Sequence, residues 1–527
     1  MDASSLFSPN DLESLQALLL RNNYPVKLVN GSLAVPNQYI VQIPSGGFLK
    51  NNGPSPQMRK WLREMEKGKE CVAEVRLWNH SKNTTVRIGE VTTRAIQLCR
   101  CCPFMVIEVI GDQPILDALN DRALLSPGGD NTPTGSMLAV MSINAYAFSS
   151  PGGDNSRTGS LTSSDNDVLA KAQSAALEGL LHPREEQELS TSWGEGSHGM
   201  VSGRKEPVRV AVIDSGFRAT YLQGTGVAVS IWRGGSQTSA CGITGDEKGW
   251  NFVGRPTIAE ITGGIREVGN QIVNDFENGN PDDDHFGHHG TLVSAIITDT
   301  ARQTSGGPSP SIMVLKAFDS KGIGTLFTVL CALCYAQEHE ADIINASFVI
   351  PATGGIELLE RCLTELEDRN ILLVCAAGNR PNRHVQRGTE LAYNLFPACY
   401  SETYRNIITA TTIWEEPDQT QDGLPWGFEN YSDRFVNIAI QANHPQEAND
   451  GYYLFPRNGN GNRFSFAGSS FATAYMSGMA AAVLQHHYGA STLTATHLRE
   501  TILYAINPRI LSPTTGFIKN GRYKVIP

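Results

Sequence analysis

Long apolar runs are missing from this 527-residue chain. The most apolar stretch near the start, Leu15 to Leu20, is too short to cross a bilayer, and no later stretch reaches the ~18 apolar residues a spanning helix needs. No lysine- or arginine-rich block occurs, and 42 basic against 53 acidic residues give a net charge of −11, which excludes a phosphate-binding surface. Met1-Asp2-Ala3-Ser4-Ser5 lacks a basic start leading into an apolar stretch, so no signal peptide is expected. Ten cysteines are present without the spacing of a disulfide framework. Cys331, Cys334, Cys362 and Cys375 fall in core-like apolar segments, where a thiol acts as a small hydrophobe. The trio Cys99, Cys101 and Cys102 has no spaced second pair, so packing is preferred to a zinc site there. These features predict a reduced, cytoplasmic setting, with no membrane or nucleic-acid partner.

What is present is a glycine- and proline-rich globular composition, 40% hydrophobic, long enough for about two or three domains. Ser8-Pro9-Asn10-Asp11 carries a helix-start pattern, followed by Leu12, Leu15, Leu18 and Leu19 on one face. This lead-in occupies 1–37. Over 38–112 the order is a strand at 39–43, a helix at 57–67, strands at 71–78 and 85–91, a short helix at 93–100 and a strand at 104–110. That β-α-β-β-α-β order predicts a small ferredoxin-like α+β domain. Residues 113–205 hold two imperfect copies of a turn-rich segment, Ser126-Pro127-Gly128-Gly129-Asp130-Asn131 and Ser150-Pro151-Gly152-Gly153-Asp154-Asn155. A strand is expected between them at 137–148, and a helix at 170–181. Surface loops account for the copies, with proteolytic nicking the sharper alternative.

From Val208 onward, β-branched runs at 208–213, 312–315, 343–346, 372–376 and 407–410 alternate with helical segments at 325–338 and 356–369. This predicts an α/β domain over 206–527, a parallel sheet covered by helices, with chemistry at the carboxyl ends of the strands. Four short motifs occupy such positions. Asp214 ends the first strand in Asp-Ser-Gly. His289 precedes Gly290-Thr291 at a helix start. Asn379 closes Ala376-Ala377-Gly378-Asn379. Ser470, in Gly468-Ser469-Ser470-Phe471-Ala472, opens an apolar helix whose unpaired N–H groups suit an oxyanion. Each has an ordinary explanation alone: a turn-capping Asp, a packing His, a turn Asn, a loop Ser.

Together, these motifs resemble those of the subtilisin-like serine proteases, the subtilases (peptidase family S8), whose chain order Asp…His…Ser they share. Gly249-Trp250-Asn251-Phe252-Val253, Lys316-Ala317-Phe318-Asp319 and Asp342-Ile343-Ile344-Asn345-Ala346-Ser347 are similar to further family segments, over about 206–510. The resemblance implies a three-layer domain and a serine endopeptidase acting on peptide or protein substrates. It implies that Asp214, His289 and Ser470 form the triad, with Asn379 in the oxyanion hole and no cofactor needed for the chemistry. His288 is the rival base, but the histidine directly before Gly-Thr is the family's. Ser347, Phe348, Val349, Ala376, Ala377 and Gly378 are implied to line the substrate site.

Three departures stand out. Ser347-Phe348-Val349-Ile350 lacks the two glycines of the family's edge strand, and the bulk of Val349 and Ile350 predicts altered P1 binding. The long separation of Asp214 from His289 implies an insertion, whose end, Asp282-Asp283-Asp284-His285, is read first as a solvated acidic loop and second as a structural calcium site. Gly-Ser-Ser-Phe-Ala replaces the usual Gly-Thr-Ser-Met-Ala. By resemblance the 38–112 module is propeptide-like, which implies an inhibitory or regulatory N-terminal region and self-processing within 113–205. The alternatives are a dedicated peptide-processing or acyl-transfer enzyme, and a silent peptide-binding scaffold.

Overall fold

The computed structural model describes residues 9–29, 31–42, 48–49, 53–54, 71–79, 84–99, 102, 104–110 and 137–149 in the N-terminal part. Beyond it, the model describes 207–223, 225–234, 248–253, 265–268, 271–274, 280–285, 287–305, 308–352, 357–379, 389–390, 395–414, 424–425, 429–442, 453–455, 464–466, 468–487, 493–505, 509–510 and 522–525. The helices expected at 57–67 and 170–181, most of both turn-rich copies and Cys101 lie outside these residues.

Helix α1 (Pro9–Arg21) forms where the capping pattern predicts it, and Leu15 and Leu19 are buried. Six strands that share one sheet follow, apart from the short Phe48–Leu49 and Gly53–Pro54 pair: β1 (Lys27–Val29), β2 (Ser32–Gln42), β3 (Cys71–Asn79), β4 (Thr84–Leu98), β5 (Phe104–Ile110) and β6 (Met137–Phe148). The small N-terminal domain is present, but the helix expected at 93–100 is not: β4 continues as strand to Leu98. Val91-Thr92-Thr93 is β-branched, and β4 has partners on both sides, β3 and β5, whose ladder hydrogen bonds outweigh a short amphipathic pattern.

The strands also close on themselves. β2 pairs with β5, β5 with β4, β4 with β3, β3 with β6, and β6 returns to β2, so the order is a ring rather than an open split sheet. The β2–β6 ladder shifts register between Ala34 and Tyr39, where Pro36 lacks a donor and Asn37 sits at φ 59°.

The larger sheet contains β7 (Arg209–Asp214), β8 (Gly249–Asn251), β9 (Ser311–Lys316), β11 (Ile343–Ala346), β12 (Leu372–Ala376), β13 (Ile407–Trp414), β14 (Ile438–Ala442), β15 (Arg509–Ile510) and β16 (Arg522–Val525). Their order is β8-β9-β7-β11-β12-β13-β14-β16-β15, with β15 antiparallel to β16 and the other neighbours parallel. The strand β10 (Ile323–Thr325) leaves this sheet and pairs with β6 instead. The order reverses between β7 and β11, the topological switch where open α/β sheets place their crevice.

Both faces of the sheet are covered, which is why its strands are near-continuously apolar rather than alternating. Val210 and Val212 of β7 join the core of α2 (His289–Ser305) and α5 (Ser469–His487). Ala211 and Ile213 join that of α3 (Leu326–Glu338) and α4 (Glu357–Asp368). The second core runs on without a break into Ile40, Met105, Ile107 and Ile143 of the ring. Among the described residues, no helix is long and apolar enough to cross a membrane.

Candidate active site

Asp214 is the last residue of β7 and is buried. Burying a carboxylate is costly unless donors reach it. Its Oδ1 accepts from the Ser215 N–H at 2.7 Å and meets Nδ1 of His289, also at 2.7 Å. Its Oδ2 is buried with no donor among the described residues. His289 begins α2 and is fully buried, held against the β7 end because Gly290 has no side chain; a Cβ there would lie 2.3 Å from the Gly216 carbonyl oxygen. His288, the rival, turns away at φ 48° and stacks on Tyr221 with ring centroids 4.2 Å apart.

Ser470 lies in the first turn of α5, next to Phe471, whose ring packs on His289 at 5.7 Å. Ser470 Oγ donates to the Ser347 carbonyl at 3.3 Å, and Ser347 Oγ donates back to the Ser470 carbonyl at 3.0 Å. Behind them, Asn345 Nδ2 donates to Ser347 Oγ and Ser477 Oγ donates to Asn345 Oδ1. This buried relay fixes the start of α5 against the end of β11. Asn379 follows β12. Its Oδ1 accepts from both the N–H and the Oγ of Ser469, each at 3.0 Å, which fixes the amide so that its NH2 faces away from Ser469. Ser469 also accepts from the Gly378 N–H at 3.0 Å. Sequence reasoning passed over Ser469, Asn345 and Ser477, since serine and asparagine in small-residue segments carry no local signal of a partner far along the chain.

The acidic run corrects an expectation. Asp282 pairs with Arg218, whose guanidinium holds its carboxyl below the usual carboxylate range, and Asp284 accepts from Lys316 Nζ at 2.7 Å. Asp283 is fully buried and accepts from Ser215 Oγ, the His285 N–H, and the Thr291 N–H and Oγ1. It is therefore a clamp between β7 and the start of α2 rather than part of a solvated loop; charge-assisted hydrogen bonds offset its desolvation.

His285 sits 6.2 Å, ring to ring, from His289. Burial, then the charge of His289, pull its pKa from 6.5 down to about 4; Asp283 and Asp214 oppose the shift and Lys316 adds to it. The unfolded chain thus takes up a proton near pH 6.5 that the folded chain refuses until about 4. Stability is full above the unfolded value, falls as pH drops through this window by about 3 kcal/mol, and levels off below it. Urea unfolding from pH 7.5 to 4 is expected to show this slope in wild type and a flatter one in His285→Asn, whose amide oxygen can still accept from the Gly287 N–H. Equal slopes would remove His285 from the account.

The expected substrate-lining residues form two facing edges, at 347–349 and 376–378. The edge at 347–350 carries a strand despite its missing glycines. The Phe148 N–H donates to the Val349 carbonyl and the Val349 N–H to the Phe148 carbonyl, both at 2.9 Å. Side chains of an extended strand point off its hydrogen-bonding edge, so valine at 349 does not block pairing. On its other side β6 pairs with β10, Phe148 opposite Ile323, and the Ser149 N–H donates to the Gly322 carbonyl at 3.0 Å. β6 therefore ends sandwiched between the two edges β10 and 347–350. Val349 Cγ1 also leans over Gly378; a Cβ on Gly378 would lie 2.8 Å from it, and the φ of 87° there favours glycine. Val349 thus brings the 347–349 and 376–378 segments close together.

The α/β domain thus carries a buried acid–imidazole pair, from β7 and α2, and a serine in the first turn of α5, about the switch point of its parallel sheet. The subtilase family model matches residues 205–517, and the chain belongs to that family. It is similar to subtilisin-like protease 3 of Plasmodium falciparum, 27% identical over 210 residues, covering 38% of this chain and 26% of that protein. It is also similar to a thermostable alkaline protease of Halalkalibacterium halodurans, 26% identical over 44% of this chain and 57% of that one. Thermitase of Thermoactinomyces vulgaris is 24% identical, over 52% of this chain and 80% of that one. The match to the Plasmodium falciparum relative thus spans about a quarter of its length. A crystal structure of a cold-adapted subtilisin-like serine proteinase superposes with a TM-score of 0.38 at 18% identity, covering 60% of this chain and 87% of that one.

Proposed function

We propose that this chain is a serine endopeptidase in which Ser470 is the nucleophile, His289 the base and Asp214 the residue that orients His289. The observation that carries the reading is the buried 2.7 Å Asp214–His289 hydrogen bond, with Phe471, the residue after Ser470, packed on the imidazole. In the proposed cycle, Ser470 Oγ attacks the substrate carbonyl as His289 takes its proton. His289 then returns the proton to the leaving amine, and water resolves the acyl-enzyme by the same exchange. Asp214 stabilises the imidazolium without itself being protonated. The Asn379 NH2 and the Ser470 N–H, which lies in the first turn of α5, would stabilise the oxyanion.

The reading requires no metal for the chemistry; the acidic run proposed as a calcium site commits its carboxylates to Arg218, Ser215, Thr291 and Lys316. Asn379→Leu is expected to lower kcat by about 10²–10³ with little change in KM, a magnitude established for subtilisin itself. Steady-state kinetics on a peptide anilide checks it, and an unchanged kcat would take Asn379 out of the oxyanion hole.

The N-terminal region is proposed to regulate this site, because β6 is paired with Val349, on one of the two edges expected to line the substrate site, and with β10 on its other side. On this reading the ring of β2 to β6 is the body of the inhibitory module, which takes in 137–148 from the 113–205 stretch expected to be a linker, and 206–527 is the catalytic domain. The close approach of Val349 to Gly378 favours a second, more restricted version: an enzyme that processes few peptides rather than digesting broadly. Fluorophosphonate labelling of wild type beside Ser470→Ala tests the nucleophile, and casein digestion separates broad from narrow specificity. No label on wild type, with β6 displaced, would defeat the proposal.

A further inference from the structure

The cysteines that seemed an incomplete set on the ring gain their second pair in the fold. The β4–β5 turn, closed by the Cys99 N–H donating to the Phe104 carbonyl at 2.9 Å, presents Cys99 and Cys102 in C-x-x-C spacing. Opposite lies α3, where Cys331 and Cys334, also C-x-x-C, stand three residues apart on one face. The sulfurs of Cys99, Cys102 and Cys331 all lie within 4.8 Å of one another, and all three residues are buried. The thiol of Cys102 contacts those of Cys331, Cys334 and Cys99, and Cys334 in turn contacts Cys362 on α4. Cys99 and Cys102 sulfurs approach to 2.7 Å.

Apolar packing explains one buried thiol, or two, but not by itself the meeting of two C-x-x-C pairs from separate elements, with three sulfurs within 4.8 Å of one another and Cys334 touching Cys102. Ligands of a tetrahedral zinc–thiolate centre, at about 2.3 Å from the metal, stand about 3.8 Å apart. Cys99, Cys102 and Cys331 lie within that reach, and Cys334, which touches Cys102 but stands beyond 4.8 Å from at least one of the three, would swing in to close the set. We infer that Cys99, Cys102, Cys331 and Cys334 form a structural zinc site that staples the N-terminal ring to helix α3 of the subtilase domain. Soft thiolates in tetrahedral array select zinc over the hard cations. On loading, each of the four thiols gives up its proton and the ion takes four sulfur ligands, leaving no coordination position for substrate or water. Cys362 lies behind Cys334 as a neighbour rather than a ligand. The site is independent of the proteolytic reading, and it reinforces the Gln97 Nε2 bond to the Phe252 carbonyl across the same seam.

The test reads metal rather than cleavage, on the full-length chain carrying Ser470→Ala. Elemental analysis after growth with zinc is expected to find one zinc per chain. Cys331→Ser with Cys334→Ser should lose at least tenfold, whereas Cys375→Ser, a buried thiol elsewhere, should keep it. Should the double variant not fold, cobalt substitution of the unaltered chain decides the matter. A tetrahedral thiolate site gives intense visible bands and a thiolate-to-cobalt charge-transfer band. A chain that binds neither zinc nor cobalt, a Cys99–Cys102 disulfide found by mass spectrometry, or iron–sulfur absorbance in place of zinc would each overturn the inference.

Discussion

Replacing Ser470 with alanine is expected to lower kcat for peptide hydrolysis by about 10⁶, the loss found when subtilisin itself loses its nucleophile. No neighbouring group can substitute. Ser469 Oγ is committed to Asn379, and Ser347 Oγ to the Ser470 carbonyl, so neither hydroxyl is free to approach a substrate. The variant should keep its fold, because the Ser470 Oγ bond to the Ser347 carbonyl is long while the Ser470 backbone, which holds the helix start, is unchanged. The comparison is best made in a chain whose β6 strand has been displaced, so that wild type has an open cleft. Fluorophosphonate should label Ser470 in that chain and leave the alanine variant blank. Activity surviving within tenfold would mean that the Asp214–His289 pair serves some other nucleophile.

Phe148→Pro is expected to raise kcat/KM toward short peptides by about 10³. Proline has no N–H, so the donation to the Val349 carbonyl is lost, and its fixed φ disturbs the return bond from the Val349 N–H. Two such bonds contribute about 1 kcal/mol each. Moving a fully buried phenylalanine away from Leu15, Leu33 and Ile323 costs a further ~1.5–3 kcal/mol. The sum, about 4 kcal/mol, corresponds to the stated rise if it all weakens occupancy of the cleft. The variant's pairing partners earlier in β6 are untouched, from Ala139 opposite Gln42 to Ala145 opposite Ala34. Peptide kinetics beside a circular-dichroism melt separates opening of the cleft from general unfolding. Unchanged kinetics in a folded variant would show that β6 does not limit access.

The catalytic domain was legible in the sequence because its strands are buried on both faces, and such strands announce themselves as short β-branched runs. The expected strands at 343–346 and 372–376 coincide with those observed. Asp214, His289, Asn379 and Ser470 stood out in the sequence because each falls where a strand or helix begins or ends, a place that small-residue motifs mark, and the structure brings Asp214 and His289 into contact. Strands β14 and β16 went unforeseen: Ile438–Ala442 and Arg522–Val525 are brief and lie among polar segments. The role of Asp283 was hidden because its partners, Ser215 and Thr291, are distant in sequence. The 93–100 helix failed for the opposite reason, a local pattern overruled by the β5 ladder, which runs on to Leu98. Most telling were Cys331 and Cys334, correctly assigned to an apolar helix, though a helix face alone cannot say what hairpin will be laid against it.

The shared membership of β6 has a consequence for how such an enzyme would be switched on. Its last residues pair with Val349 and with β10, while residues 139–145 are a stave of the closed ring, hydrogen-bonded to β2, with Ala139 also paired to Arg76 of β3. A separate inhibitor peptide leaves by dissociation, at a rate set by its own contacts. A stave can leave only when the hoop opens. Activation without a cut would then be a melting step, with the steep temperature dependence of unfolding rather than the mild one of ligand release. Heat would release the enzyme sooner than dilution.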